Sequence, residues 1–311
     1  MPYAVIFPGQ GAAAPGVGRA WIDDQAWEVV GQAEAVLDRP VARLLLEADA
    51  AELAATGASQ LAVLLASLVA WDALAPRLDE APVAFGGHSL GQITALLAAG
   101  AVGRTDGFHL AAKRADLSQA SADARPGRMA ALVGAELDVA ARVCEGGGDV
   151  WIANDNAPGQ VVIAGSPEGL AAAVERARQL GVRRVMVLDV GHAFHTPLLA
   201  DAAAGLRPLL EGLGFQEAAA PIVANTDALG HTDPHCWPDQ LTRHLVEPVR
   251  WRESQRTLAA SGATTFIEVG PGRVLAGLAK RTVPDVTVLN ATTPDDLSTL
   301  LATNTLAGAT R

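Results

Sequence analysis

The stretch that decides the fold runs from Val83 to Ala99: Val-Ala-Phe-Gly-Gly-His-Ser-Leu-Gly-Gln-Ile-Thr-Ala-Leu-Leu-Ala-Ala. Val83–Phe85 reads as a short buried strand, Gly86–Gly91 turns it sharply, and Gln92–Ala99 is an Ala- and Leu-rich helical run. Within it, Gly87-His88-Ser89-Leu90-Gly91 is a G-x-S-x-G pattern, in which a serine sits on a strained turn between strand and helix. Side chains at 87 and 91 would clash where the backbone doubles back, and the elbow leaves Oγ at a helix N-terminus, where the dipole favours negative charge developing nearby. A glycine-rich turn without chemistry has the same five residues, so the strand before and the helix after carry the reading.

Working outward, Tyr3–Phe7 is a strand pattern that runs into Pro8-Gly9-Gln10-Gly11, a loop whose glycines allow unusual backbone conformations. Helical patterns follow at Trp27–Leu37 and Gln60–Leu74, the second apolar at nearly every position and therefore buried on most sides. From about Gly127 the pattern changes to strand Met129–Val133, helix Val139–Cys144, strand Val150–Ala153, a Pro-Gly turn at 158–159, strand Val161–Ala164, helix Pro167–Leu180 and strand Val185–Val190. The order βαββαβ fits a ferredoxin-like unit over 127–191. The α/β pattern then resumes, with extended segments at Ile222–Ala224 and Thr265–Val269, the turn Gly270-Pro271-Gly272, and a helix from Val274 to Arg281. The expected class is α/β, with a discontinuous large domain, 1–126 and 192–311, interrupted by the small one.

Half of the 311 residues are hydrophobic and 18% are charged, enough apolar material for a large core and far from a disordered composition. Lys+Arg 23 against Asp+Glu 34 gives a net charge of −11, which argues against broad attraction to nucleic acid or an anionic membrane. The longest apolar runs, Leu61–Ala70 and Ile93–Val102, read as too short and interrupted to span a bilayer, so the expectation is a soluble cytoplasmic protein. Cys144 and Cys236 form no CxxC or disulfide framework.

A serine hydroxyl needs a base. Of seven histidines, His192 and His195 follow the last strand of the inserted unit, at a domain junction where a cleft is expected, whereas His109 and His244 fall in helical contexts and His88 should point away from Ser89. His231, His235 and Cys236 superficially resemble metal ligands, but they lie on a polar, Pro-containing turn without further donors, and no metal is expected.

Phe7-Pro8-Gly9-Gln10-Gly11, Gly87-His88-Ser89-Leu90-Gly91, Asn156-Ala157-Pro158-Gly159-Gln160-Val161-Val162-Ile163-Ala164-Gly165, His192-Ala193-Phe194-His195, Glu247-Pro248-Val249-Arg250-Trp251 and Glu268-Val269-Gly270-Pro271-Gly272 occur in that order. Together they resemble the malonyl-CoA:acyl carrier protein transacylase family of fatty acid and polyketide synthesis. The resemblance implies an α/β-hydrolase-like large domain with a ferredoxin-like insertion, a malonyl-CoA substrate, no bound cofactor, and a phosphopantetheinylated acyl carrier protein as partner.

The resemblance makes Ser89 the nucleophile and His195 its base, oriented by a backbone carbonyl from the segment around Arg250, with the N–H groups of Gln10 and Leu90 as the oxyanion hole. Arg114 matches the arginine that binds the malonyl carboxylate, for which a guanidinium fork is better shaped than an ammonium. Phe194 accompanies malonyl units, and its ring would crowd an α-methyl by about 1–3 kcal/mol. Gln60 lines the site, while Gln92 stands where the family usually has Glu. Arg183, Arg184, Lys280 and Arg281 resemble positions implicated in carrier recognition. Transfer of another acyl unit, the malonyl-transfer subunit of a malonate decarboxylase, and a carrier-directed hydrolase are the alternatives.

Overall fold

The computed structural model describes residues 1–188 and 190–302. Its strands are β1 (Tyr3–Phe7), β2 (Ala84–Gly87), β3 (Arg128–Val133), β4 (Val150–Ala157), β5 (Gln160–Gly165), β6 (Arg184–Leu188), β7 (Ile222–Val223), β8 (Gly230–His231), β9 (Thr265–Val269) and β10 (Thr287–Ala291). They form a mixed α/β protein with two sheets: a six-stranded one in the order β10-β9-β1-β2-β7-β8 and a four-stranded one in the order β4-β5-β3-β6.

The first sheet is parallel except for the β7–β8 hairpin at its edge. Its central strands are buried on both faces, as parallel strands covered by helices must be. Val5 and Phe7 pack into the core beneath the Thr56–Leu74 helix, where Trp71 meets Phe7 and Phe85 edge-on at 6.1 and 5.6 Å. Ala4 and Ile6 point the other way, among Trp251, Leu258 and Leu278 of the helices Trp251–Ala260 and Val274–Thr282. The stretch Thr56–Arg77 has the length and apolarity of a membrane span, yet its most apolar window is 83% buried inside the molecule. It is the core helix expected from Gln60–Leu74, begun one turn earlier.

The second sheet is antiparallel throughout. Ala130, Leu132, Val161 and Ile163 pack on the helices Leu137–Cys144 and Pro167–Gln179. The alternate residues Met129, Ala131, Val162 and Ala164 join the main core, so the period-2 alternation aims one face of this sheet at the first unit.

Both units are tied together at β4. The backbone of Val249 bonds to Ala153 and Asp155 at 2.9 Å each, and pairing with β5 carries β4 on to Ala157 rather than the expected Ala153. Arg252 pairs with Asp155 at 3.0 Å and Glu136 at 2.9 Å and donates to the Ala157 carbonyl at 3.0 Å. The last strand of the insertion runs Arg184–Leu188 rather than Val185–Val190. Asp189 and residues 303–311, within the expected domain ranges, lie outside the described residues.

Candidate active site

Ser89 lies between β2 and the Gly91–Ala98 helix with φ +54°, a left-handed conformation that a side chain adopts only when its surroundings compel it. The flanking glycines are what the packing demands. A Cβ at Gly87 would stand 1.9 Å from the Gly91 carbonyl oxygen, and one at Gly91 would stand 2.2 Å from that of Phe7. Asn225 clasps the turn: its Oδ1 accepts the Ser89 N–H at 2.8 Å and its Nδ2 donates to the Gly87 carbonyl at 2.8 Å.

His195 also has a positive φ, +60°, and its Nε2 lies 2.8 Å from Ser89 Oγ. Its Nδ1 is 2.8 Å from the His244 carbonyl oxygen. That oxygen only accepts, so Nδ1 carries the proton and Nε2 presents its lone pair to the serine. The orienting carbonyl therefore belongs to His244, not Arg250. The Trp237–His244 helix ends here, and a last-turn carbonyl has no partner within its helix. Arg250 instead donates its backbone N–H to the Asn225 carbonyl at 2.9 Å, and its guanidinium pairs with Glu253. The His244 ring itself stacks on His195, centroids 5.0 Å apart and tilted by 32°. Burial, and then the Arg114 charge, push the His195 imidazole down to about 3, so it is a neutral base at any ordinary pH.

Arg114 projects from the buried face of the Arg104–Ala124 helix and is 3% exposed. Its Nη2 donates to Ser89 Oγ at 3.2 Å and its Nη1 to Gln60 Oε1. Both partners are neutral, and burial alone lowers the guanidinium to about 10. A buried cation whose protein partners are neutral carries an uncompensated desolvation cost. Gln60 also donates to Thr56 Oγ1 at 2.9 Å, Thr56 donates to Gln10 Oε1 at 2.8 Å, and Ser59 donates to the Gln10 carbonyl at 2.8 Å. The chain Arg114–Gln60–Thr56–Gln10 thus links the buried guanidinium to the glycine loop. Among the described residues, the backbone N–H groups of Gln10 and Leu90 donate to no protein acceptor.

A cavity of about 310 Å³ opens over Ser89 between the two units, walled by the Pro8–Ala12 loop, Met129, Val162 and Leu188 of the second sheet, Phe194, and Leu275 and Leu278. Phe194 is held edge-on by His192 at 5.6 Å, whose Nε2 lies 3.0 Å from Ser121 Oγ. His88 lines the same cavity and sets its Nε2 2.8 Å from Asn156 Oδ1 rather than against Ser89. The four cations expected at a carrier surface are all exposed. Arg184 stands beside Val133, whose other neighbour is Gln160, and Arg281 bonds Gln160 Oε1 at 2.9 Å and the Pro158 carbonyl. Arg281 is therefore also a tie between units. His231 pairs with Asp227 at 3.0 Å, and burial raises both cysteine thiols to about 11. His244, Asn225 and Thr56 are site residues that sequence reasoning missed. A carbonyl has no side-chain signature, and Asn225 stands 136 residues from the serine it holds.

A serine–histidine pair on an elbow, beside a buried arginine and two free backbone donors, is the equipment of acyl transfer to and from serine. The chain belongs to the acyl transferase domain family, which it matches over residues 4–303. Its relatives include the malonyl CoA-acyl carrier protein transacylases of Bacillus subtilis, 34% identical over 96% of both chains, and of Escherichia coli K12, 32% identical over 96% of this chain and 98% of the other. Among solved structures, the malonyl-CoA:acyl carrier protein transacylase of Xanthomonas oryzae superposes with a TM-score of 0.92 at 34% identity, covering 97% and 99% of the two chains. A malonyl-transacylase in complex with its type II polyketide synthase acyl carrier protein superposes with 0.93 at 31% identity over 98% and 100%.

Proposed function

We propose that this chain moves a malonyl group from malonyl-CoA to the phosphopantetheine thiol of an acyl carrier protein through a malonyl-Ser89 intermediate. The observation that carries the reading is the position of the buried, anion-seeking Arg114 guanidinium 3.2 Å from the nucleophile it flanks. His195 Nε2 takes the Ser89 proton as Oγ attacks the thioester carbon. The tetrahedral oxyanion is held by the N–H groups of Gln10 and Leu90. As it collapses, the C–S bond breaks and His195 returns the proton to the departing CoA thiolate. The second half runs in reverse, with the carrier thiol giving its proton to His195 and attacking the ester. The malonyl carboxylate meets the Arg114 fork, whose orientation Gln60 holds, and Phe194 closes the space beside the α-carbon.

The four-stranded unit, with its βαββαβ order, reads as a ferredoxin-like insertion covering 127–191 in an α/β-hydrolase-like frame. Arg183 and Arg184 on this unit, with Lys280 and Arg281 on the large one, give the cleft a cationic margin for an acidic carrier. No bound cofactor enters this chemistry, and the cytoplasm is the compartment the substrates imply. Intact-protein mass spectrometry after brief exposure to malonyl-CoA tests the reading. A malonyl adduct absent from Ser89→Ala that moves to an added holo carrier supports it. An adduct lost to water makes the protein a hydrolase, and no adduct refutes the assignment.

A further inference from the structure

We infer that Asn225 is a positioning residue for acyl transfer, the clasp that holds the serine elbow in its reactive conformation. The inference rests on Ser89 being the nucleophile.

Asn225 is fully buried on the turn after β7, and all of its polar groups are used. Its side chain grips both sides of the elbow, accepting from Ser89 N–H and donating to the Gly87 carbonyl, each at 2.8 Å. Its backbone N–H donates to Gln92 Oε1 at 2.7 Å, at the second residue of the helix that follows the elbow. Its carbonyl accepts from Arg250 N–H at 2.9 Å, on the segment that pairs with β4. Among the described residues the Nε2 of Gln92, itself fully buried, has no partner, so Gln92 serves Asn225 there as an acceptor.

Two consequences follow for the reaction. A serine at φ +54° relaxes toward negative φ unless its flanking peptides are held, and such a rotation swings Oγ away from His195 Nε2. By taking the Ser89 N–H, Asn225 also removes the nearest competing donor and leaves that of Leu90 as the elbow's contribution to the oxyanion hole. One amide is required for both contacts, since the site needs an acceptor at Ser89 N–H and a donor at the Gly87 carbonyl.

Asn225→Ala removes both contacts, whereas Asn225→Asp removes only the donor while ionised and restores it when protonated. The groups touching this amide at the elbow and helix are neutral. The neighbouring charges, Asp227 and Arg250, are occupied by His231 and Gln240 and by Glu253. The measurement is the rapid-quench rate of malonyl-Ser89 formation across malonyl-CoA concentration, per folded molecule, for wild type and both variants at pH 5 and 7.5. A serine-directed fluorophosphonate, whose reaction needs no malonyl site, is run in parallel. The expected result is a fall of about 10- to 100-fold in the saturating rate for Asn225→Ala, with half-saturation unchanged and slower fluorophosphonate labelling. Asn225→Asp should resemble the alanine variant at pH 7.5 and approach wild type at pH 5. Wild-type rates in Asn225→Ala, a loss confined to half-saturation, or no recovery of Asn225→Asp at pH 5 would overturn the inference. If wild-type Ser89 takes the fluorophosphonate but never malonyl, the functional reading fails, and the probe rates still decide the role of Asn225.

Discussion

Replacing Arg114 by methionine keeps an unbranched apolar stem but removes the guanidinium and its charge. Burial brings this guanidinium from 12.5 to about 10, which at 1.36 kcal/mol per unit is about 3 kcal/mol of unrelieved desolvation. A bound malonyl carboxylate relieves that strain and adds a charge-assisted fork, so its loss should cost malonyl transfer at least about 3 kcal/mol, or roughly 100-fold in kcat/KM. Acetyl transfer gains nothing from the fork and should fall little or rise. The His195 imidazole provides a second readout, because the Arg114 charge is the second-largest cause of its depression, after burial. Without that charge its protonation moves up from about 3 toward 6.5, and the acid limb of the acylation rate moves up with it. The assay is acyl-enzyme formation by quenched mass spectrometry with malonyl- and acetyl-CoA between pH 4 and 8. Equal losses for the two donors, or an unmoved acid limb, would refute the reasoning.

Thr56→Val cuts the link between Gln60 and Gln10 without touching Ser89, and should lower the acylation rate by about tenfold, measured as above with malonyl-CoA affinity unchanged. Arg252→Ala leaves Asp155 buried without its cation between the two units and should cost about 3–5 kcal/mol in urea unfolding, much of it recovered by adding Asp155→Ala. The folded protein keeps His195 and His244 neutral far below 6.5, whereas the unfolded chain protonates both there. The unfolded state therefore binds more protons as pH falls, and thermal stability should drop from pH 6.5 toward 4. His244→Gln, which retains the carbonyl, should flatten that slope in melting curves. Gly270→Ala would bring a Cβ to 2.2 Å from Ser67 Oγ at φ +121° and should lower stability by more than about 2 kcal/mol in the same unfolding assay.

The sequence by itself determined the parts whose causes are local. The elbow was legible because the G-x-S-x-G pattern lies between a strand run and a helical run, although only the crowding at Gly87 comes from the turn itself, that at Gly91 coming from Phe7 on β1. The βαββαβ unit was legible because its strands are short runs of apolar residues, Met129–Val133 and Val161–Ala164 being buried on both faces, set between turn residues and helical patterns. Ser89, His195, Arg114, Gln60 and Gln10 were named from their motifs, and the structure brings all five together. Only the tertiary structure decided which carbonyl meets His195, because every residue has one and the choice falls to where the Trp237–His244 helix ends. Asn225 was invisible for a related reason: its amide does the same local bonding as any turn asparagine until folding sets it against a serine 136 residues away. Arg281 reads in sequence as one of four cations for carrier recognition, and only the fold shows that it also bonds to Gln160 and Pro158 across two units. Contacts between distant segments depend on the packing of whole layers, and no spacing along the chain encodes them.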